Sequence, residues 1–285
     1  MPEREWVVNL EATPLRSEPD AESDELAALR AYTYLEVQGY SGEWARVLNP
    51  RSHVTGFVPS LEIAPAETPP AYISAAPPPA LEELNVAGRA IRGAMLSFYP
   101  TAEPEAQLEP VVHNTPVTIA DSVEAEDGAV WYRTSDGDYL PEEAVRVPRT
   151  PPRTFTGRWI DADLHEPAML TAYEGSTPVL TTLSIHGTGG RFPTPVGLFR
   201  IIRRVANETM NSETIGIPRF GPGGYYLTNV LFTQYFTGDG ASLHYNYWSS
   251  NWGYGASHGC LGLTYADSAF LWNWASLGTP VYVHY

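Results

Sequence analysis

The sequence predicts a mostly β protein: two small β-barrels, then a β-sandwich domain that ends with one C-terminal helix. Three observations predict it. Short apolar runs separated by Gly, Pro, Asn and Asp fill residues 5–64, as in small all-β domains. The same order of runs recurs in diverged form over 85–148. That is an internal repeat at domain scale, not a solenoid, whose periods are about 20–50 residues. Strand alternation resumes after residue 154, and helical spacing is clear only once, near the C-terminus.

In the first module, residues 5–10 read as a strand and 13–19, with Pro14 and Pro19, as a loop. Strands follow over 32–39, 42–47 (Gly-Glu-Trp-Ala-Arg-Val) and 55–59 (Thr-Gly-Phe-Val-Pro). Residues 65–84 hold Pro65, Pro69, Pro70, Pro77, Pro78 and Pro79 among many alanines. Such a stretch cannot bury a core and favours extended polyproline conformations, so it is expected to be a linker. In the second module, 128–134 (Gly-Ala-Val-Trp-Tyr-Arg-Thr) repeats the Gly-x-Trp strand, and 138–141 (Asp-Tyr-Leu-Pro) repeats Gly-Phe-Val-Pro. The Pro-Arg-Thr-Pro-Pro-Arg run of 148–153 is a short stiff connector.

The third domain is expected over 154–285. Strands are predicted over 159–164, 169–173, 179–186 and 198–202, with Pro195 and Gly197 setting a tight bend before the last. Gly187 to Gly190 lacks the Lys-Ser/Thr of a phosphate loop and is assigned to doubling the chain back. Residues 207–242 are polar, aromatic and Gly-rich. A helix is predicted over 266–276, capped by Thr264 with Asp267 and ended by Gly278. Phe270, Leu271, Trp274 and Leu277 are assigned to its core face.

The 285 residues include 33 acidic and 17 basic side chains, a net charge of −16. A surface of that sign repels phosphate backbones, which excludes nucleic acid as a partner. No apolar run approaches the ~20 residues that span a bilayer. The first residues lack the basic and apolar regions of a signal peptide. No HExxH motif or zinc-type Cys/His spacing is present, so neither metal nor cofactor is expected.

Chemistry concentrates in 256–263, Ala-Ser-His-Gly-Cys-Leu-Gly-Leu. Cys260 is the single cysteine and cannot form an intramolecular disulfide. A thiol becomes a nucleophile as its thiolate, which needs a nearby base or cation and donors for the charge created. His258 is adjacent and His244 lies one loop upstream. Taken alone, a Cys and two His more often form part of a core. The small Ser257 and Gly259 around the histidine make this a poor core strand.

Ser-His-Gly-Cys with a second His upstream resembles the signature of the L,D-transpeptidase catalytic domain (the YkuD-like family). Thr194-Pro195-Val196-Gly197-Leu198-Phe199, the 159–172 hairpin and the 278–283 strand resemble the family's other motifs, in order. The resemblance implies that Cys260 is the nucleophile and His244 its general base, oriented by the Tyr245 carbonyl. It places Ser257, His258 and Gly259 around the oxyanion, and Tyr226 and Trp248 at the substrate, with Tyr225 as the neighbouring choice to Tyr226. The 207–242 region would form a lid or wall. Two positions depart from the pattern: Tyr245 stands where Gly or Ser is usual, and Gly262 where Arg or Asn is common.

By this resemblance the protein is a cysteine acyltransferase acting on peptidoglycan stem peptides, through cross-linking or D-alanine release. Its export signal would have been removed, leaving it extracellular or wall-associated. The first two modules resemble bacterial SH3-like domains, which would either bind the cell wall or only space the catalytic unit. The alternative is a non-catalytic wall-binding protein with a degenerate transpeptidase-like domain.

Overall fold

The computed structural model describes residues 4–190 and 192–285, and the chain divides into two compact units between Pro79 and Ala80. The first unit has seven strands: β1 (Glu5–Asn9), β2 (Thr13–Arg16), β3 (Glu25–Leu29), β4 (Tyr34–Ser41), β5 (Trp44–Leu48), β6 (Thr55–Pro59) and β7 (Ile63–Ala66). They form one sheet in the order β3-β2-β6-β5-β4-β1-β7. Alternate residues, such as Ala45 and Val47 on β5, meet Leu15, Leu35 and Val58 in its core.

The stretch 13–19, expected as a loop, carries β2. Pro14 is accommodated there, and Leu15 is fully buried. The alanine-rich β3 was not predicted, because Glu-Leu-Ala-Ala-Leu has neither β-branched nor aromatic residues. Of the proline-rich 65–84, Pro65 and Ala66 belong to β7, and residues 80–84 open the next strand. A 3₁₀ turn at Ala71–Ser74 lies between them.

The second unit opens with β8 (Ala80–Ala90), β9 (Met95–Ser97), β10 (Gln107–Pro110), β11 (Pro116–Glu124), β12 (Val130–Thr134), β13 (Tyr139–Pro141) and β14 (Val145–Arg146). Their order, β10-β9-β13-β12-β11-β8-β14, reproduces that of the first unit strand for strand. Even the 3₁₀ turn before the last strand recurs, at Ser60–Glu62 and Glu142–Ala144, each preceded by a proline.

The remaining strands are β15 (Arg158–Asp163), β16 (Met169–Glu174), β17 (Thr177–Leu183), β18 (His186–Gly187), β19 (Gly197–Arg200), β20 (Arg203–Asn211), β21 (Tyr226–Tyr235), β22 (Ser242–Tyr245), β23 (Gly255–Ser257), β24 (Leu261–Leu263) and β25 (Pro280–His284). They make a five-stranded sheet, β17-β16-β15-β25-β19, a four-stranded sheet, β20-β21-β22-β24, and the pair β18-β23. The two larger sheets share one core: Ile160, Leu170, Val281 and Val283 meet Leu243, Leu261 and Leu263. Leu271 and Trp274 of the single α-helix, α1 (Tyr265–Trp274), fill the same core.

Two expectations about this helix are corrected. Phe270 is 37% exposed and Leu277 63%, so only Leu271 and Trp274 face inward. The helix stops at Trp274, with Ala275 extended, and Gly278 takes its positive φ of 86° in the turn that follows. The 207–242 region is less irregular than its glycines suggest, since β20 and β21 form a long antiparallel hairpin.

The second β module and the sandwich fall in one unit, joined by buried polar contacts. Arg89 of β8 donates to Asp267 of α1 at 2.8 Å, to the Thr181 carbonyl at 2.6 Å and to the Asn114 carbonyl at 2.9 Å. Asp267 also accepts from Thr182 and from the helix N-cap Thr264. Arg146 likewise donates to Asp163 of β15.

Candidate active site

His244 and Cys260 come together through parallel pairing of their strands. β22 runs beside β24, with His244 opposite Gly262, so the residue before β24 is brought beside the histidine's strand. His244 is buried, and its Nδ1 donates to the Tyr245 carbonyl at 2.9 Å. A carbonyl can only accept, which fixes the proton on Nδ1 and leaves Nε2 for the thiol. Trp248 stacks on the imidazole, with centroids 5.5 Å apart and planes 24° from parallel.

The thiol is held on several sides. Ser242 Oγ lies 3.4 Å from Cys260 Sγ, and the thiol donates to the Gly240 carbonyl at 3.7 Å. Burial pushes the Cys260 pKa up. A hydrogen bond and charge from His244, with help from Ser242, outweigh that effect, so the thiol sits below its ordinary value. The arrangement therefore eases loss of the thiol proton at a partly buried position, a combination that suits a nucleophile.

Cys260 opens into a cleft of about 590 Å³. Its walls come from the β20–β21 hairpin, including Arg203, Glu208 and Tyr235, and from the 237–240 turn. Glu208 accepts from Tyr235 Oη at 2.9 Å and pairs with Arg203 at 3.4 Å. Burial and the nearby Cys260 push the Tyr225 phenol up, which keeps its hydroxyl a donor.

Of the two neighbouring tyrosines, Tyr225 lines the cleft. Neighbours on an extended chain face opposite ways. Tyr226 packs under the Arg219 guanidinium at 3.7 Å.

Ser257 Oγ donates to the Cys260 carbonyl at 2.7 Å and accepts from the Gly259 amide at 3.1 Å. The Gly259 N–H is therefore engaged by Ser257. Among the described residues the Cys260 amide has no acceptor. Gly259 has φ 109°, and a Cβ there would come 3.0 Å from the Pro193 carbonyl. Glycine is thus required where the chain passes the 192–194 loop.

His258 is packed among aromatic rings. Its ring lies between Phe192 and Tyr225, with centroids 4.3 and 5.0 Å away. Burial lowers its pKa, against a hydrogen bond that the imidazole donates to the Gly223 backbone carbonyl, which raises it.

Sequence reasoning missed Ser242 and Asn246. Neither stands in a motif, and only strand pairing brings Ser242 to the sulfur. Asn246 accepts from the amides of Trp248 and Ser249, at 3.3 and 3.2 Å, and so holds the loop carrying Trp248. Its side chain also fills the space beside Gly262, where a Cβ would meet Asn246 Nδ2 at 2.7 Å. The departure at Gly262 therefore has a packing reason.

The family model of the L,D-transpeptidase catalytic domain matches residues 157–283. The probable L,D-transpeptidase 3 of Mycobacterium tuberculosis is 33% identical over 98 residues, 32% of this chain and 34% of its own length. L,D-transpeptidase 1 of the same organism is 36% identical over 93 residues, 32% of this chain and 37% of its own length. The chain thus spans about a third of the length of the curated relatives it matches. Among solved structures, an L,D-transpeptidase from Mycobacterium smegmatis is 22% identical with a TM-score of 0.42, covering 60% of this chain and 100% of that one. Residues 157–283, which carry His244, Cys260 and the cleft above them, form a domain of the L,D-transpeptidase catalytic family.

Proposed function

We propose that this protein is a cysteine acyltransferase that acts on peptidoglycan stem peptides. The observation that carries the reading is the Cys260 thiol at a cleft, 3.4 Å from Ser242 Oγ and beside the strand of His244, whose hydrogen bond and charge lower its pKa despite its burial. His244 takes the thiol proton, and the sulfur attacks the carbonyl before the terminal D-alanine of a stem peptide. That C–N bond breaks as the thioester forms, and the D-alanine amine leaves with the proton from His244. The Cys260 amide donates to the oxyanion, a type of contact worth about 10²–10³ in rate. Tyr225 is the second donor facing the reacting carbonyl. An amine from a neighbouring stem resolves the thioester into a cross-link, and water in its place releases the shortened stem.

Such a substrate places the protein outside the cell membrane, at the wall. No helix among the described residues is long and apolar enough to cross a membrane. The two β modules share one strand order and are read as repeated SH3-like units that tether the protein to the wall.

Mass spectrometry after incubation with a synthetic tetrapeptide stem, with and without an acceptor amine, tests the proposal. A mass increase on Cys260 and loss of the terminal D-alanine are expected. A cross-linked product appears only with the amine present if the acceptor is an amine. An unmodified Cys260 with intact stem peptide overturns the reading.

A further inference from the structure

A row of aromatic rings runs from the catalytic imidazole across the surface of the sandwich. Trp248 stacks on His244, and Tyr247 meets Trp248 edge-on at 4.9 Å. Tyr245 follows at 6.0 Å from Tyr247, and Tyr265 at 5.4 Å from Tyr245. Phe232 lies 5.5 Å from Tyr265, and Trp272 6.1 Å from Phe232. The row draws on three separate elements: β22 with the loop after it, both ends of α1, and β21.

These rings are not a buried core. Tyr265 is 55% exposed, Tyr247 47% and Trp248 38%. Tyr245, Phe232 and Trp272 are partly exposed. Contiguous exposed aromatics on a soluble surface mark a binding site. The six rings are themselves uncharged. Arg204, beside the row, is stacked on Trp272 at 4.0 Å and hydrogen-bonded to Gln234 at 3.1 Å. The hydroxyls of Tyr245 and Tyr265 have no partner among the described residues, so each ring offers an apolar face and a polar tip.

We infer that this row is a binding platform for an uncharged glycan strand, the backbone that carries the stem peptide delivered to Cys260. The choice of occupant rests on the function proposed above. A stem peptide at the sulfur is covalently tied to its glycan, which must therefore pass close to His244, where the row begins. The C–H faces of sugar rings pack on aromatic faces, and their hydroxyl and amide groups bond to phenol tips. An uncharged polymer also meets no repulsion from a chain of net charge −16.

The test titrates the full chain with β-1,4-linked N-acetylglucosamine oligomers that carry no peptide, read by calorimetry and tryptophan fluorescence. In parallel, Cys260 acylation by a carbapenem-type lactam is followed by mass. Saturable sugar binding is expected, weakened about tenfold by Tyr265→Ala and largely kept by Tyr265→Phe. Lactam acylation is the same in all three proteins. Acylation without sugar binding, or sugar binding indifferent to Tyr265→Ala, overturns the platform. Self-association that Tyr265→Ala abolishes, with no sugar bound, assigns the row to a second copy and also overturns it. Failure of the catalytic reading is distinct, because it shows as a wild-type Cys260 that the lactam does not acylate.

Discussion

Arg89 and Asp267, 178 residues apart, meet in an ion pair of 2.8 Å in which both side chains are only 7% exposed. Asp267 stands in the first turn of α1, and α1 follows the strand that leaves Cys260. The second β module is thereby tied to the helix behind the nucleophile. Arg89→Ala leaves a buried carboxylate without its cation, which costs about 3–5 kcal/mol. Urea unfolding of a protein starting at Ala80 is the measurement. Removing residues 1–79 should leave a cooperative unfolding transition and full lactam acylation. Removing 1–150 as well strips Arg89 and Arg146 from Asp267 and Asp163, and should lower the midpoint sharply.

His244 and His258 are both near Cys260 in sequence or space, but the lowering of the thiol's pKa comes from His244 and not from His258. His244→Ala removes the proton acceptor and should lower acylation by about 10²–10⁴-fold. His258→Ala opens a gap between Phe192 and Tyr225 and should lower it by less than tenfold, with a modest loss of stability. Stopped-flow acylation by a lactam, with thermal melts of both variants, checks the order. The reverse order reassigns the base.

Much of this arrangement was legible before any coordinates. The Ser-His-Gly-Cys run and the Trp-bearing repeat are local patterns, and each marks a place the fold also singles out. What stayed hidden depends on pairing between distant segments. Ser242 reaches the sulfur only because β22 lies beside β24. Arg89 looks like any basic residue near a glycine until β8 packs against α1. Tyr225 and Tyr226 are equivalent in sequence, and the choice between them is set by which face of the hairpin looks into the cleft. Phe270 was assigned inward on spacing alone. A short helix packed on one side buries a narrower stripe than its apolar residues suggest, here Leu271 and Trp274.

The pH dependence of thiol reactivity follows from the lowered Cys260 pKa. Burial alone raises it, and His244 with Ser242 reverses the sign. Alkylation by iodoacetamide should therefore rise with pH through a midpoint below the ~8.5 of a free thiol. In His244→Ala burial is opposed by Ser242 alone, and the midpoint should move upward. Ser242→Ala should move it in the same direction by less. Because the folded-state pKa is depressed, the thiolate's contribution to stability is present above the free-thiol pKa. It fades as pH falls through the lowered value.

Gly262 and Asn246 offer the sharpest test of how the site is packed. A Cβ at Gly262 would lie 2.7 Å from Asn246 Nδ2 and 3.1 Å from its Cβ, and Asn246 is 2% exposed. That side chain cannot swing aside freely, since its Oδ1 holds the amides of Trp248 and Ser249. Gly262→Ala should therefore cost about 1–3 kcal/mol from overpacking. It should also slow acylation, because displacing Asn246 frees the loop that stacks Trp248 on His244. Asn246→Ala alone should slow acylation through the same loop while leaving room at Gly262. The double variant should then be no less stable than Asn246→Ala by itself, which is a coupling of the kind seen for residues in contact. Urea midpoints and lactam acylation rates of all four proteins close the cycle. Strict additivity would mean that the two positions do not share the space the structure gives them.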